Sequence, residues 1–251
     1  MKKLMAANWK MYKIVDEGVA TARELVRLLG TKLPADREVL LCPSFTMLHA
    51  VSPILAQTPG CFMGAQNLYP AAQGAFTGEI APEQLLALGC THALAGHSER
   101  RHVLGEGDEL IGRKVAFGLD AGLKMILCVG ETIAERRAGQ VEAVLARQLQ
   151  MGLSGVLASA TAENLAIAYE PVWAIGTGEV AGPEEILAAH AFVRATLKSL
   201  LPEQGGQVRI LYGGSVKPDN AGTIIRLDNV DGVLVGGASL KADSFSQIVL
   251  A

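Results

Sequence analysis

Eight short apolar runs alternating with helix-like segments predict an α/β fold: a closed parallel (β/α)8 barrel, one domain over residues 1–251. Three observations carry that prediction. The runs lie at residues 4–8, 39–42, 62–65, 93–96, 124–129, 166–169, 208–212 and 232–235, and seven of the eight lead into a plainly helical stretch. Half of the residues are apolar and only 19% are charged, with a mean hydropathy of +0.29, as strands buried on both faces require. An open doubly wound sheet would need a Gly-x-Gly-x-x-Gly fingerprint after an early strand, and that fingerprint is absent.

In chain order, the first run leads into helical sequence over residues 17–29 and the second into 45–57. The fourth leads into 110–121, the fifth into 141–157 and the sixth into 183–201. Pro183, backed by Glu184 and Glu185, is a good helix start, because proline fits the first turn and acids favour the positive helix end. Pro218 and Asp219 repeat the device, and residues 243–250 supply the last helix. The third unit differs: a polar stretch over residues 66–79 precedes a short helix at 82–88, and so long a loop in a compact barrel implies a task.

The formal net charge of -3 and the lack of any basic run longer than two residues argue against a nucleic-acid or anionic-membrane partner. Cys42, Cys61, Cys90 and Cys128 form no Cys-x-x-Cys pair, which points away from a metal or redox site. No stretch of 18 apolar residues occurs, and Asn8, Trp9 and Lys10 interrupt any signal-like core, so a reducing, cytoplasmic compartment is expected.

In such a barrel the loops after the strands open on one face, where chemistry is done. The sixth run ends in Tyr169-Glu170-Pro171-Val172-Trp173-Ala174-Ile175-Gly176-Thr177-Gly178. Glu170 is the first residue there that strand packing does not explain, and Pro171 holds it in an extended conformation. The large apolar Trp173 and Ile175 beside two glycines suit a lid that excludes water. The first strand ends in Asn8-Trp9-Lys10, where a lone lysine is ordinarily a solvated charge. The fourth ends in Gly96-His97, followed by a helical turn, Ser98-Glu99-Arg100-Arg101, whose positive end disfavours a protonated imidazole. The seventh and eighth end in Gly213-Gly214-Ser215 and Gly236-Gly237, paired glycines that free backbone N–H groups for an anion. A carboxylate, a histidine, a lysine and a phosphate cradle suit proton transfer beside a carbonyl in a small phosphorylated compound.

Asn8-Trp9-Lys10-Met11, Gly64-Ala65-Gln66-Asn67, Gly74-Ala75-Phe76-Thr77-Gly78-Glu79, Gly96 to Arg101, Tyr169 to Gly178, Tyr212 to Val216 and Leu234 to Leu240 together resemble the signatures of the triosephosphate isomerases, in order and spacing from end to end. The resemblance implies a TIM barrel, a cofactor- and metal-free isomerisation of dihydroxyacetone phosphate and D-glyceraldehyde 3-phosphate through an enediolate, and a homodimer. It implies Glu170 as the base, a neutral His97 as the electrophile, and Lys10 with Asn8 as stabilisers of developing charge. Gly176, Ser215, Gly236 and Gly237 would hold the phosphate, with Glu99 and Cys128 in support behind the reacting groups. The lid would run from Pro171 through Ile175 and Gly176 to Glu179, Val180 and Ala181, packing Ile175 toward Leu234. Thr77, Glu79 and Arg100 would lie at the dimer interface, Thr77 reaching toward the partner copy's site.

The chain departs from the family's pattern at Tyr12, Glu179 and Gly182, the last leaving the helix at Pro183 without a capping side chain. Two other readings remain open on sequence alone: an isomerase of larger sugar phosphates, and a binding protein that keeps the barrel without activity.

Overall fold

The computed structural model describes residues 1–175 and 181–251. Eight parallel strands close a barrel in sequence order: β1 (Lys3–Asn8), β2 (Arg37–Cys42), β3 (Cys61–Ala65), β4 (Cys90–Ala95), β5 (Lys124–Val129), β6 (Leu165–Tyr169), β7 (Arg209–Tyr212) and β8 (Gly232–Val235). β1 pairs with both β2 and β8, with Asn8 opposite Cys42 and Ala7 opposite Val235, so no strand edge is left open.

The crossovers carry the helices α1 (Val15–Leu29), α2 (Leu48–Ala56), α3 (Pro82–Ala87), α4 (Ser98–His102), α5 (Asp108–Asp120), α6 (Ile133–Arg137), α7 (Val141–Leu153), α8 (Pro183–Leu200), α9 (Pro218–Ile225) and α10 (Ala242–Leu250). No helix among the described residues is long and apolar enough to cross a membrane.

The two-residue period of the strands divides the core in two. Leu4, Ala6, Leu40, Cys42, Leu94, Ile126, Cys128, Ala166, Ala168, Leu211 and Leu234 form one buried cluster, which fills the barrel. The alternate residues, Met5, Ala7, Val39, Leu41, Met125, Leu127, Ile167 and Ile210 among them, join the larger cluster with the helices. On α1 the buried Gly18, Ala22, Leu25 and Leu29 mark one stripe at helical spacing, which turns that face onto the barrel.

Two helical features differ from the sequence expectation. The helix expected over residues 141–157 stops at Leu153, where Gly152, Ser154 and Gly155 cluster poor helix formers. The short α6 is not anticipated by hydrophobic period, but Thr132 caps it: its hydroxyl accepts from the Glu135 N–H at 3.3 Å, while Glu135 Oε2 accepts from the Thr132 N–H at 2.8 Å.

Candidate active site

Lys10 stands two residues past the end of β1 with φ 51°, a left-handed conformation that costs a lysine about 1–3 kcal/mol. Its neighbours hold it there. Asn8 Oδ1 accepts from the Lys10 N–H at 2.9 Å, and Gln66 Nε2 donates to the Lys10 carbonyl at 2.8 Å and to the Cys42 carbonyl at 2.9 Å. The ammonium Nζ lies 2.7 Å from Glu99 Oε1.

His97 is the N-cap of α4, and its Nδ1 accepts from the Glu99 N–H at 3.3 Å. A nitrogen that accepts cannot carry the proton, so the ring is the neutral tautomer with its proton on Nε2. That Nε2 lies 3.1 Å from Glu170 Oε1. The Glu99 carboxylate is 3.6 Å from Nδ1, too far for a hydrogen bond.

Glu170 follows β6 directly and is only 2% exposed. Its N–H donates to the Val129 carbonyl at 2.7 Å, continuing the β5–β6 ladder one step beyond the strand, and its Oε2 accepts from the Ser98 N–H at 2.8 Å. Two glycines make room for it. A Cβ on Gly130 would stand 1.7 Å from the Glu170 carbonyl oxygen, and one on Gly213 would stand 2.8 Å from Glu170 Cγ. Beneath the carboxylate, Cys128 is fully buried; burial, and then the Glu170 charge, push its thiol pKa well up, so it remains a neutral hydrogen-bond partner of Glu170.

Asn8, Lys10, His97, Glu170, Ala174, Ile175, Ser215, Leu234, Gly236 and Gly237 line one cavity of about 470 Å³, which also takes in Tyr12 and Lys217. The strand-end residues singled out in the sequence thus converge, and Ile175 and Leu234 share the same space. Glu99, which pairs with Lys10, does not line it. Of the proposed lid, Pro171, Val172, Trp173, Ala174, Ile175 and Ala181 are described, whereas Gly176, Thr177, Gly178, Glu179 and Val180 lie outside the described residues. Thr77 and Glu79 are exposed on the loop after β3 and do not line the cavity. The Arg100 guanidinium pairs with Glu106 at 2.6 Å. No group of three or more His, Cys, Asp or Glu side chains is placed to hold a metal ion among the described residues.

Sequence reasoning does not single out Glu131, although it stands two residues past β5 and meets the same strand-end criterion as Glu170. It is fully buried. Its Oε1 accepts from Trp173 Nε1 at 2.8 Å and from the Tyr169 hydroxyl at 3.2 Å, and lies 3.2 Å from Arg136 NH1. Arg136 also packs 4.6 Å over the Trp173 ring and reaches Glu185 Oε1 at 2.6 Å. The missing cap at Gly182 is compensated in part, since Glu185 Oε2 accepts from the Gly182 N–H at 2.7 Å.

The geometry has close counterparts among known proteins. A family model described as triosephosphate isomerase matches residues 3–251. Triosephosphate isomerases of two Nitratidesulfovibrio vulgaris strains, DP4 and Miyazaki F, are 60% and 61% identical to this chain over 251 residues, with both chains covered in full. The crystal structure of triosephosphate isomerase from Bartonella henselae superposes with a TM-score of 0.89 at 37% identity, covering 99% of this chain and 98% of that one. With the family's model spanning the barrel and full-length relatives at this identity, the chain belongs to the triosephosphate isomerase family.

Proposed function

We propose that this chain interconverts dihydroxyacetone phosphate and D-glyceraldehyde 3-phosphate through an enediolate. The observation that carries the reading is the buried Glu170 carboxylate beside the Nε2–H of a neutral His97, 3.1 Å apart, in a cavity lined by Lys10 and the strand-end glycines. Glu170 takes a proton from the carbon beside the carbonyl and returns it to the neighbouring carbon. With Oε2 held by the Ser98 N–H, the carboxylate turns from that donor toward the substrate to do so. His97 donates through Nε2 to the carbonyl oxygen and moves a proton between the two enediolate oxygens. Lys10 and Asn8 stabilise the negative charge that develops there.

The phosphate rests on backbone N–H groups of Ser215, Gly236, Gly237 and Gly176. The segment from Pro171 to Ala181 closes over it as a lid, bringing Ile175 toward Leu234 and expelling water. Its first turn is tied to Glu131 through Trp173, and Ala181 at its other end is buried in the core. Every group the reaction needs is supplied by the chain, so no metal or cofactor takes part.

Residues 1–251 act as one domain in a cytoplasmic homodimer. Met11 is 95% exposed, Val103 77% and Ile14 68%, apolar surface on the loops flanking the cavity that a second copy would cover. Thr77, Glu79 and Arg100 belong to the same contact.

The test is turnover of D-glyceraldehyde 3-phosphate by purified protein with a chelator present, alongside Glu170→Gln. The expected outcome is turnover indifferent to the chelator and reduced by about 10³-fold or more in the variant, with KM little changed. Full activity in Glu170→Gln would remove Glu170 as the base, and a folded wild-type protein without turnover would overturn the whole reading.

A further inference from the structure

We propose that Lys217 captures the substrate's phosphate: among the described residues it is the uncommitted cation lining the cavity, and it cancels the site's electrostatic bias against a dianion. The inference rests on the triose-phosphate reading and deepens it.

The charges of the reacting groups work against the substrate. Glu170 brings one negative charge, and the positive charge of Lys10 is offset by Glu99 at 2.7 Å. His97 is neutral in the tautomer that its Glu99 N–H contact selects. Lys10, Glu99 and Glu170 together therefore carry one net negative charge, where a phosphate dianion has to enter.

Lys217 lines the same cavity, two residues beyond Ser215. Its backbone N–H donates to Asn220 Oδ1 at 2.8 Å, which fixes the residue at the start of α9. Its side chain is exposed, and among the described residues no hydrogen bond or ion pair engages the ammonium. Other lysines of the chain are committed: Lys3 to the Val230 carbonyl, Lys13 to Thr21 and the Trp9 ring, and Lys114 to Asn67 and Glu106. A solvated lysine free of partners beside a phosphate cradle raises the local concentration of the dianion without taking part in proton transfer.

The expected effect follows from Coulomb's law. One charge acting on a dianion across several ångströms of water changes capture by about fivefold at 10 mM ionic strength and by less than about twofold at 300 mM. Wild type, Lys217→Gln and Lys217→Arg are compared across that range for kcat and kcat/KM, together with the affinity of each for inorganic phosphate.

Lys217→Gln is expected to lose about fivefold in kcat/KM at low salt, to converge with wild type at high salt, and to keep kcat within about twofold. Lys217→Arg is expected to restore both value and salt slope. A Lys217→Gln profile parallel to wild type, or a loss confined to kcat, overturns the inference while leaving the reaction intact. If the wild type fails to turn over triose phosphate, the function fails instead. Phosphate affinity then still reads Lys217, and equal affinities at low salt overturn its role.

Discussion

Alanine at Gly130 tests whether the Glu170 carboxylate is positioned by backbone packing as well as by its own hydrogen bonds. The Gly130 peptide is clamped on both sides by the buried Gln148 amide, whose Oε1 accepts from the Gly130 N–H at 2.8 Å and whose Nε2 donates to the Gly130 carbonyl at 3.1 Å. Gly130 therefore cannot retreat without breaking a buried pair of hydrogen bonds. A Cβ at this position would lie 1.7 Å from the Glu170 carbonyl oxygen, whereas real Cβ contacts essentially never fall under 3.0 Å, so the Glu170 backbone must withdraw by about 1.3 Å. The Glu170 N–H is bonded to the Val129 carbonyl at 2.7 Å, so withdrawal from Gly130 also strains that bond. A shift of that size in a reacting group costs on the order of 10²-fold in rate. Overpacking of the same site is expected to lower stability by about 1–3 kcal/mol. The assay is steady-state kcat and KM with a urea unfolding curve on the same preparation. Gly213→Ala is the graded control, since its Cβ would meet Glu170 Cγ at 2.8 Å and a side chain yields more readily than a backbone carbonyl. The reasoning is refuted if Gly130→Ala folds and keeps kcat within about threefold of wild type.

Gln66→Leu leaves the Lys10 carbonyl without its donor, while the Cys42 carbonyl keeps the Trp9 N–H at 3.1 Å, and it removes one of the restraints on the left-handed Lys10 backbone. A loss of about 2 kcal/mol in urea unfolding and roughly tenfold in kcat is expected, and an unchanged kcat would show that Lys10 is held by other contacts. Burial lowers the pKa of His190 to about 4, with its hydrogen bond to the Asn229 carbonyl and Asp231 opposing and Arg194 adding to the shift. Below about pH 6.5 the unfolded chain then binds a proton that the folded one refuses, so stability falls as pH drops toward 4, by about 3 kcal/mol for this group. His190→Phe keeps a ring beside Tyr169 and removes the titration, so a shallower fall in unfolding free energy between pH 6.5 and 4 is expected; an identical slope would refute the assignment.

The sequence by itself determined the barrel and singled out polar strand-end residues that the structure brings to one cavity. Strands buried on both faces must be continuous apolar runs, and eight of them with crossover helices are arithmetically a barrel. Once a barrel is granted, polar residues just past strand ends stand out because packing gives no reason for them, and Lys10, His97, Glu170 and the glycine pairs follow. Tertiary structure alone decided how those groups are held. The left-handed Lys10 depends on Gln66, whose distance of 56 positions along the chain hides the contact. The tautomer of His97 is selected by one backbone N–H in α4, and the reach of Glu170 by Gly130 and Gly213, the residues just past β5 and β7 on either side of β6. Glu131 bears the strand-end signal, but its partners Tyr169, Trp173 and Arg136 meet only where the loops after β5 and β6 pack together. Local sequence governs which residues a strand excludes from its core, whereas hydrogen-bond partners and sub-ångström clearances are properties of distant segments brought into contact, and no periodicity records them.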